Sequence, residues 1–277
     1  MATLVCFHAH PDDESIATGG TMALAADGGH RVVLVVATRG EKGEPQPGVL
    51  ADGEQLWERR VVETHAAADI LGVERVEFLG YEDSGMMGEE SNGNPACFWQ
   101  ADVDEAADRL AAILRDVDAD VLTIYDSHGG YGHPDHIQVH RVGRLAAERA
   151  GVTKVFQSTM NRDRILRQMQ ENAHLFEDEF EAEVEGETAE QMQRRAEAAE
   201  RGEFGSPEAE ITHAVEVTGV IDRKKRAMAA HRSQIGPDSF FFAMPDQVFA
   251  AAFGTEWFIA LDGARAEDAP FVTSILD

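Results

Sequence analysis

Cysteine is nearly absent from this chain of 277 residues, with two, Cys6 and Cys97, that form no CxxC arrangement. A disulfide framework and a thiolate metal or redox motif are thereby excluded, and a reducing cytoplasm is the expected location. Cationic side chains are scarce as well. Lys and Arg total 24 against 51 Asp and Glu, a net charge of -27, so phosphate backbones and anionic bilayers would repel the chain. Neither nucleic acid nor a membrane is expected as a partner. Long apolar runs are missing: no stretch reaches about 18 residues, and the opening "ATLVCFHAHPDD" meets charge too soon for a signal peptide. A nucleotide-binding GxGxxG is lacking too, because "GGTMALAADGG" has glycines after a strand but not that spacing. The acidity itself reads as solubility or salt adaptation and leaves the chemistry open.

What is present is an alternation of strand and helix patterns. "TLVCFH", "RVVLVVAT", "RVEFLG", "DVLTIYD" and "TKVFQST" read as strands, separated by the helical stretches "SIATGGTMALAADGG", "LWERRVVETHAAADILG", "DVDEAADRLAAILRDV" and "DHIQVHRVGRLAAERAG". Repeated βα units predict a Rossmann-like α/β fold, a mostly parallel sheet with helices on both faces. Residues 1–160 form this core. Residues 161–210 are Glu-rich and weakly apolar, an acidic insertion that reads as solvated helix and loop, with a lid or partner surface as its functional alternative. A smaller strand–helix–strand portion, 211–277, with "ITHAVEV", "DRKKRAMAAHRSQI" and "EWFIALD", completes the same domain.

Two polar clusters follow strands. "HAHPDDE" (8–14) comes straight after "TLVCF", and "YDSHGGYGHPDH" (125–136) follows another strand about 120 residues later. In open parallel sheets ligands gather at the carboxyl ends of strands, so the two loops can face one crevice. In the first, His10 and Asp13 can bind one ion from a turn while Asp12 keeps its carboxylate free. In the second, Pro134 suits a first helical turn, and His136 is the third ligand. A His2Asp set suits zinc, with Fe2+ or Co2+ also fitting, and leaves a position for water. Without a metal, the same residues would form a hydrogen-bonded polar turn, with Asp12 as a helix cap. His8 reads as a supporting hydrogen-bond partner. His140, one helical turn after His136, is placed for a fourth ligand but would leave little room for water.

These motifs, with "RVVLVVATRGEKGE", "RRVVETHAAADILGV", "DSGM" and "KKRAMAAHRSQ", resemble the LmbE-like or PIG-L family of metal-dependent N-acetylglucosaminyl deacetylases. Within that family the pattern is most similar to the deacetylase and conjugate amidase of mycothiol metabolism. The resemblance covers most of the chain outside the acidic insertion. It implies metal ligands His10, Asp13 and His136, with Asp12 as general base. His133 would assist the tetrahedral intermediate or leaving amine, Asp135 would tune that imidazole, and Tyr131 would reach the developing oxyanion. It ties Arg60 and Asp83 to sugar binding, with Glu44 and His231 as further substrate-side residues; a purely structural histidine is the other reading of His231.

The expected activity is zinc-dependent hydrolysis of the acetyl, or another acyl, group from an N-acylglucosamine-type substrate by an activated water. One alternative is an amidase cleaving a larger acyl-cysteine amide. Another, of a different class, is a metal- and sugar-binding regulatory protein without turnover. The expected partner is a small amino sugar, and a homo-oligomer stays open.

Overall fold

The structure is a computed structural model that describes residues 1–171, 204–266 and 268–277; most of the acidic insertion lies outside the described residues. Seven strands form one sheet in the order β3-β2-β1-β4-β5-β7-β6. β1 (Thr3–His8), β2 (Arg31–Thr38), β3 (Arg75–Tyr81), β4 (Val121–Tyr125) and β5 (Lys154–Thr159) are mutually parallel. β-branched runs such as Val32–Val36 are buried, as strands covered on both faces must be. β7 (Thr255–Ala260) joins antiparallel to β5, and β6 (His213–Glu216) runs antiparallel to β7 at the edge.

Alternation along β1 divides the core. Val5 and Phe7 point to one face, where α4 (Val103–Asp116) and α6 (Pro134–Ala150) pack. Leu4 and Cys6 point to the other, under α2 (Gly19–Asp27), α3 (Leu56–Leu71) and α8 (Ile221–Ala230); α7 (Arg162–Glu171) follows β5. A side-chain carbon at Gly143 of α6 would collide with Ile124, so glycine lets this helix lie close on β4. Burial pushes the Cys6 thiol up to about 12, which makes it chemically inert.

Where the sequence pattern suggests one helix after β1, the chain makes two, α1 (Asp13–Ala17) and α2, interrupted at Thr18. The reason lies elsewhere in the chain. The Glu256 carboxylate, from β7, accepts the backbone N–H groups of Gly20 and Thr21 at 2.8 Å each, making a fresh helix start there. Likewise α8 stops at Ala230, and His231 to Ile235 form a turn instead of a continued helix. Two short apolar helices, α9 (Phe240–Ala243) and α10 (Asp246–Phe253), precede β7 and are not evident from the sequence pattern. Among the described residues no helix is long and apolar enough to cross a membrane.

The strand order reverses between β1 and β4, where successive crossovers leave to opposite sides. The two polar clusters emerge at the carboxyl ends of these two neighbouring strands, at the switch point where open α/β sheets bind ligands.

Candidate active site

β1 delivers the first cluster. Asp12 holds φ 98° and ψ -33°, a sparsely populated backbone region for a residue with a side chain. Such strain costs about 1–3 kcal/mol and persists only where surrounding bonds enforce it. Here they do: its N–H donates to Glu14 Oε2 (2.9 Å), and its carbonyl accepts from Ser15 N (3.0 Å) and Ile16 N (3.2 Å). The consequence is a division between two adjacent acids. Asp12 Oδ2 lies 3.4 Å from Arg60 Nη2, whereas Asp13 Oδ2 turns towards the histidines.

β4 delivers the second. After Tyr125 a glycine-rich turn, α5 (Gly129–Gly132), carries Tyr131, with Gly130 at φ 72° and outside helical geometry. His133 then caps α6, its Nδ1 accepting the N–H of Asp135 at 3.1 Å, and Pro134 takes the first helical position as the sequence suggests. His136, on the first turn of α6, lies flat against the Tyr125 ring, centroids 4.2 Å apart and planes within 7°.

The two clusters meet. Asp13 Oδ2 is 3.3 Å from His10 Nδ1 and 3.3 Å from His136 Nε2. On its far side His10 Nε2 lies 3.1 Å from Asp135 Oδ2 and 3.5 Å from Asp83 Oδ1. A carboxylate only accepts, so this nitrogen carries a proton and Nδ1 is the nitrogen left to give its lone pair to a cation. Metal-binding imidazoles are oriented by just such an outer carboxylate. Among the described residues the buried His136 Nε2 has no hydrogen-bond partner. Asp13 Oδ2, His136 Nε2 and, once its proton is displaced, His10 Nδ1 can each give an electron pair and face one another, so the residues fit a divalent metal. His10, His133 and His136 also group closely enough to hold an ion, as do His10, Asp83 and Asp135.

The electrostatics follow the same geometry. Burial opposes ionisation of Asp13, but the His136 and His10 imidazoles outweigh it and hold its carboxyl well below the ordinary range. Burial likewise opposes a charge on His10, and Asp83, Asp13 and Asp135 overcome it, raising this imidazole well above its ordinary value. Asp12 goes the other way: burial, helped by Asp13 and opposed by Arg60, pushes it up to about 6. Burial, with the His10 and His136 imidazoles close by, pushes His133 down to about 3, so this imidazole is neutral. Tyr131 sits on the rim, 46% exposed, with its ring 5.0 Å from that of His136. Burial of its surroundings and the nearby carboxylates raise its phenol above the ordinary value.

The remaining candidates are placed unevenly. Arg60 is buried, donating to the carbonyls of Pro11 and Gly40 (2.9 Å), so it braces the Asp12 loop. Asp83 is buried too; it accepts from Gly85 N (2.8 Å) and Lys42 N (3.2 Å) behind His10. The Asp135 carboxylate accepts from Ser84 N (2.9 Å) and from the Ser84 hydroxyl, while the Asp135 backbone N–H donates to His133 Nδ1. Glu44 is exposed, its carbonyl near the Gln234 side chain. His231 is fully buried against Glu14 at 2.6 Å. His8 hydrogen-bonds Tyr125 and Thr18, and His140 donates from Nδ1 to the Tyr125 carbonyl, so both are structural. Sequence reasoning passes over Glu14, Ser84 and Tyr125. A glutamate directly after "HPDD" was a visible signal; the other two gain their roles from distant partners.

Comparison with known proteins agrees with this geometry. Residues 5–147 match the PIG-L model, described as GlcNAc-PI de-N-acetylase. A 1D-myo-inositol 2-acetamido-2-deoxy-alpha-D-glucopyranoside deacetylase of Acidothermus cellulolyticus is 41% identical over 274 residues, covering 95% of this chain and 90% of that one. The enzyme of the same name from Thermomonospora curvata is 39% identical over 283 residues, covering 93% and 90%. Among solved structures, the A40926 pseudoaglycone deacetylase Dbv21 superposes with a TM-score of 0.59 at 16% identity, covering 96% of this chain and 98% of its own, a likeness of fold alone. Fold and relatives together define an enzyme of the deacetylase class, acting on amide bonds. The chain belongs to the PIG-L family.

Proposed function

We propose that the chain is a metal-dependent hydrolase that removes the acetyl group from the amino nitrogen of a 2-acetamido-2-deoxyglucosyl inositol. The observation that carries this is the convergence of His10 Nδ1 and the orphaned His136 Nε2 on one oxygen of Asp13, beside a second acid, Asp12, turned away from them. The substrate class comes from the names of the relatives.

His10, Asp13 and His136 would hold the ion, for which zinc suits the donor set best and Fe2+ next. Once bound, such an ion polarises the amide carbonyl and lowers the pKa of water towards about 7. Asp12, at about 6, is a base close to neutrality and takes the proton of the attacking water. His133, with Nδ1 occupied by the Asp135 N–H, carries its proton on Nε2 and donates there to the oxyanion or the departing nitrogen. The phenol of Tyr131, kept protonated, donates from the rim. Breaking the C–N bond gives acetate and a free amine, whose extra proton comes from Asp12 or His133. Arg60 and Asp83 would brace the site from behind, and Glu44, exposed in the loop after β2, would meet sugar hydroxyls.

The test is incubation of the metal-loaded protein with the N-acetylglucosaminyl inositol, following acetate and primary amine together. Equal release of both is expected. Metal bound at one ion per chain with neither product formed, across this and simpler N-acetylglucosamines, would contradict the reading.

A further inference from the structure

Outside the atoms assigned above, Glu14 is a tightly held polar group. It is fully buried beneath the strained Asp12, with both carboxylate oxygens engaged. Oε2 accepts the Asp12 N–H at 2.9 Å; Oε1 accepts from the Ser15 hydroxyl and from His231 Nε2, each at 2.6 Å. A buried carboxylate must be paired, and its partner here comes from 217 positions away.

That partner is itself held. His231 lies in the turn ending α8, fully buried. Two residues on, Ser233 is fixed to Glu63 of α3, its N–H at 2.9 Å and its hydroxyl at 2.6 Å. One turn earlier on α3, Arg60 donates to the Pro11 and Gly40 carbonyls. One helix thus holds Asp12 from two directions: directly through Arg60, and through Glu63, Ser233, His231 and Glu14.

We propose that Glu14 and His231 form a positioning pair that holds the Asp12 backbone in its positive-φ conformation, and so turns the Asp12 carboxylate away from the ligand cluster and keeps it free as a base. His231 then acts through Glu14 and not on the sugar. The pair rests on the reading of Asp12 as general base. It explains why a costly backbone conformation is kept at the one residue that must differ in direction from its neighbour. Relaxation of Asp12 would let two adjacent carboxylates compete for the same cation.

Two measurements separate this from a merely structural role. In the metal-loaded enzyme, Glu14→Met, which removes the acceptor at similar length, should lower kcat about 10- to 100-fold with KM unchanged and metal retained. Glu14→Gln, which keeps an acceptor for the Asp12 N–H, should recover most of it. In an Asp12→Ala background Glu14→Met should cost nothing further, since it acts through the missing carboxylate. Independently of turnover, the Asp12 amide of the metal-free protein should exchange with solvent faster in Glu14→Met than in the wild type, and faster also in His231→Gln, which serves if the Met variant does not fold. Multiplying losses in the double variant, a raised KM at constant kcat, or unchanged Asp12 exchange would overturn the positioning pair. Full activity in Asp12→Ala would instead overturn the base assignment on which it rests.

Discussion

His133 accepts a hydrogen bond at Nδ1 from the backbone N–H of Asp135, 3.1 Å away, and so caps the helix that carries its neighbour His136. In the proposed reaction one imidazole would thereby serve stability and chemistry with different nitrogens. Replacing it separates the two. His133→Ala should cost about 0.5–2 kcal/mol of stability through the lost cap and lower kcat about 10²- to 10⁴-fold through the lost proton donor. His133→Asn, whose side chain caps helices well, should restore the melting temperature without restoring kcat. Thermal melts and steady-state kinetics on both variants check this.

Asp12 must be ionised to take a proton, and burial raises it to about 6 in the metal-free chain. A bound cation beside it can only lower that value. The acid limb of kcat/KM should therefore have its midpoint at about 6 or below, with activity lost as pH falls through it. A limb centred above neutrality would assign the base to another group.

The raised His10 has its own consequence. In the metal-free chain, against the pull of burial, Asp83, Asp13 and Asp135 hold this imidazole well above its ordinary value, so its second proton is bound more tightly than usual. Metal binding must displace that proton, and affinity should weaken as pH falls. Calorimetric titration with Zn2+ in buffers of different ionisation enthalpy should report proton release on binding at pH 7.

Stability should carry the signature of the Glu14–His231 pair. Glu14 is depressed below its ordinary 4.5, against the pull of burial, by His231; it contributes stability above that value and loses it as pH falls. His231 is raised above its ordinary 6.5, again against burial, by Glu14; its contribution is complete below that value and is lost as pH rises through the raised one. The melting-temperature difference between wild type and His231→Gln should thus be largest between 4.5 and 6.5 and shrink on both sides.

A net charge of -27 makes the folded chain repel itself. Raising NaCl from about 0.01 M to about 1 M shortens the screening length from about 30 Å to about 3 Å. The melting temperature should rise over that range. A flat response would mean that the acidic groups are neutralised pairwise.

Much of this molecule was legible before its structure. The five parallel strands announce themselves as short β-branched runs, and each polar cluster follows one of them, so the switch-point crevice and the meeting of His10, Asp13 and His136 could be read from pattern alone. What pattern cannot carry is a partner fixed by tertiary contact. The break at Thr18 depends on Glu256, more than 230 residues away. The resemblance ties Arg60 and Asp83 to sugar binding, and what no pattern shows is that both are buried, one bracing the Asp12 loop and the other lying behind His10. His231 reads as a substrate contact or a lone histidine until Glu14 is seen against it.

The most direct test of the account is acetate release from the N-acetylglucosaminyl inositol by metal-loaded wild type and Asp12→Ala, with bound metal measured in the same samples. Turnover by the wild type is expected, and in the variant a full complement of metal with kcat about 10²- to 10⁴-fold lower. An Asp12→Ala protein that keeps its metal and its full rate would contradict it.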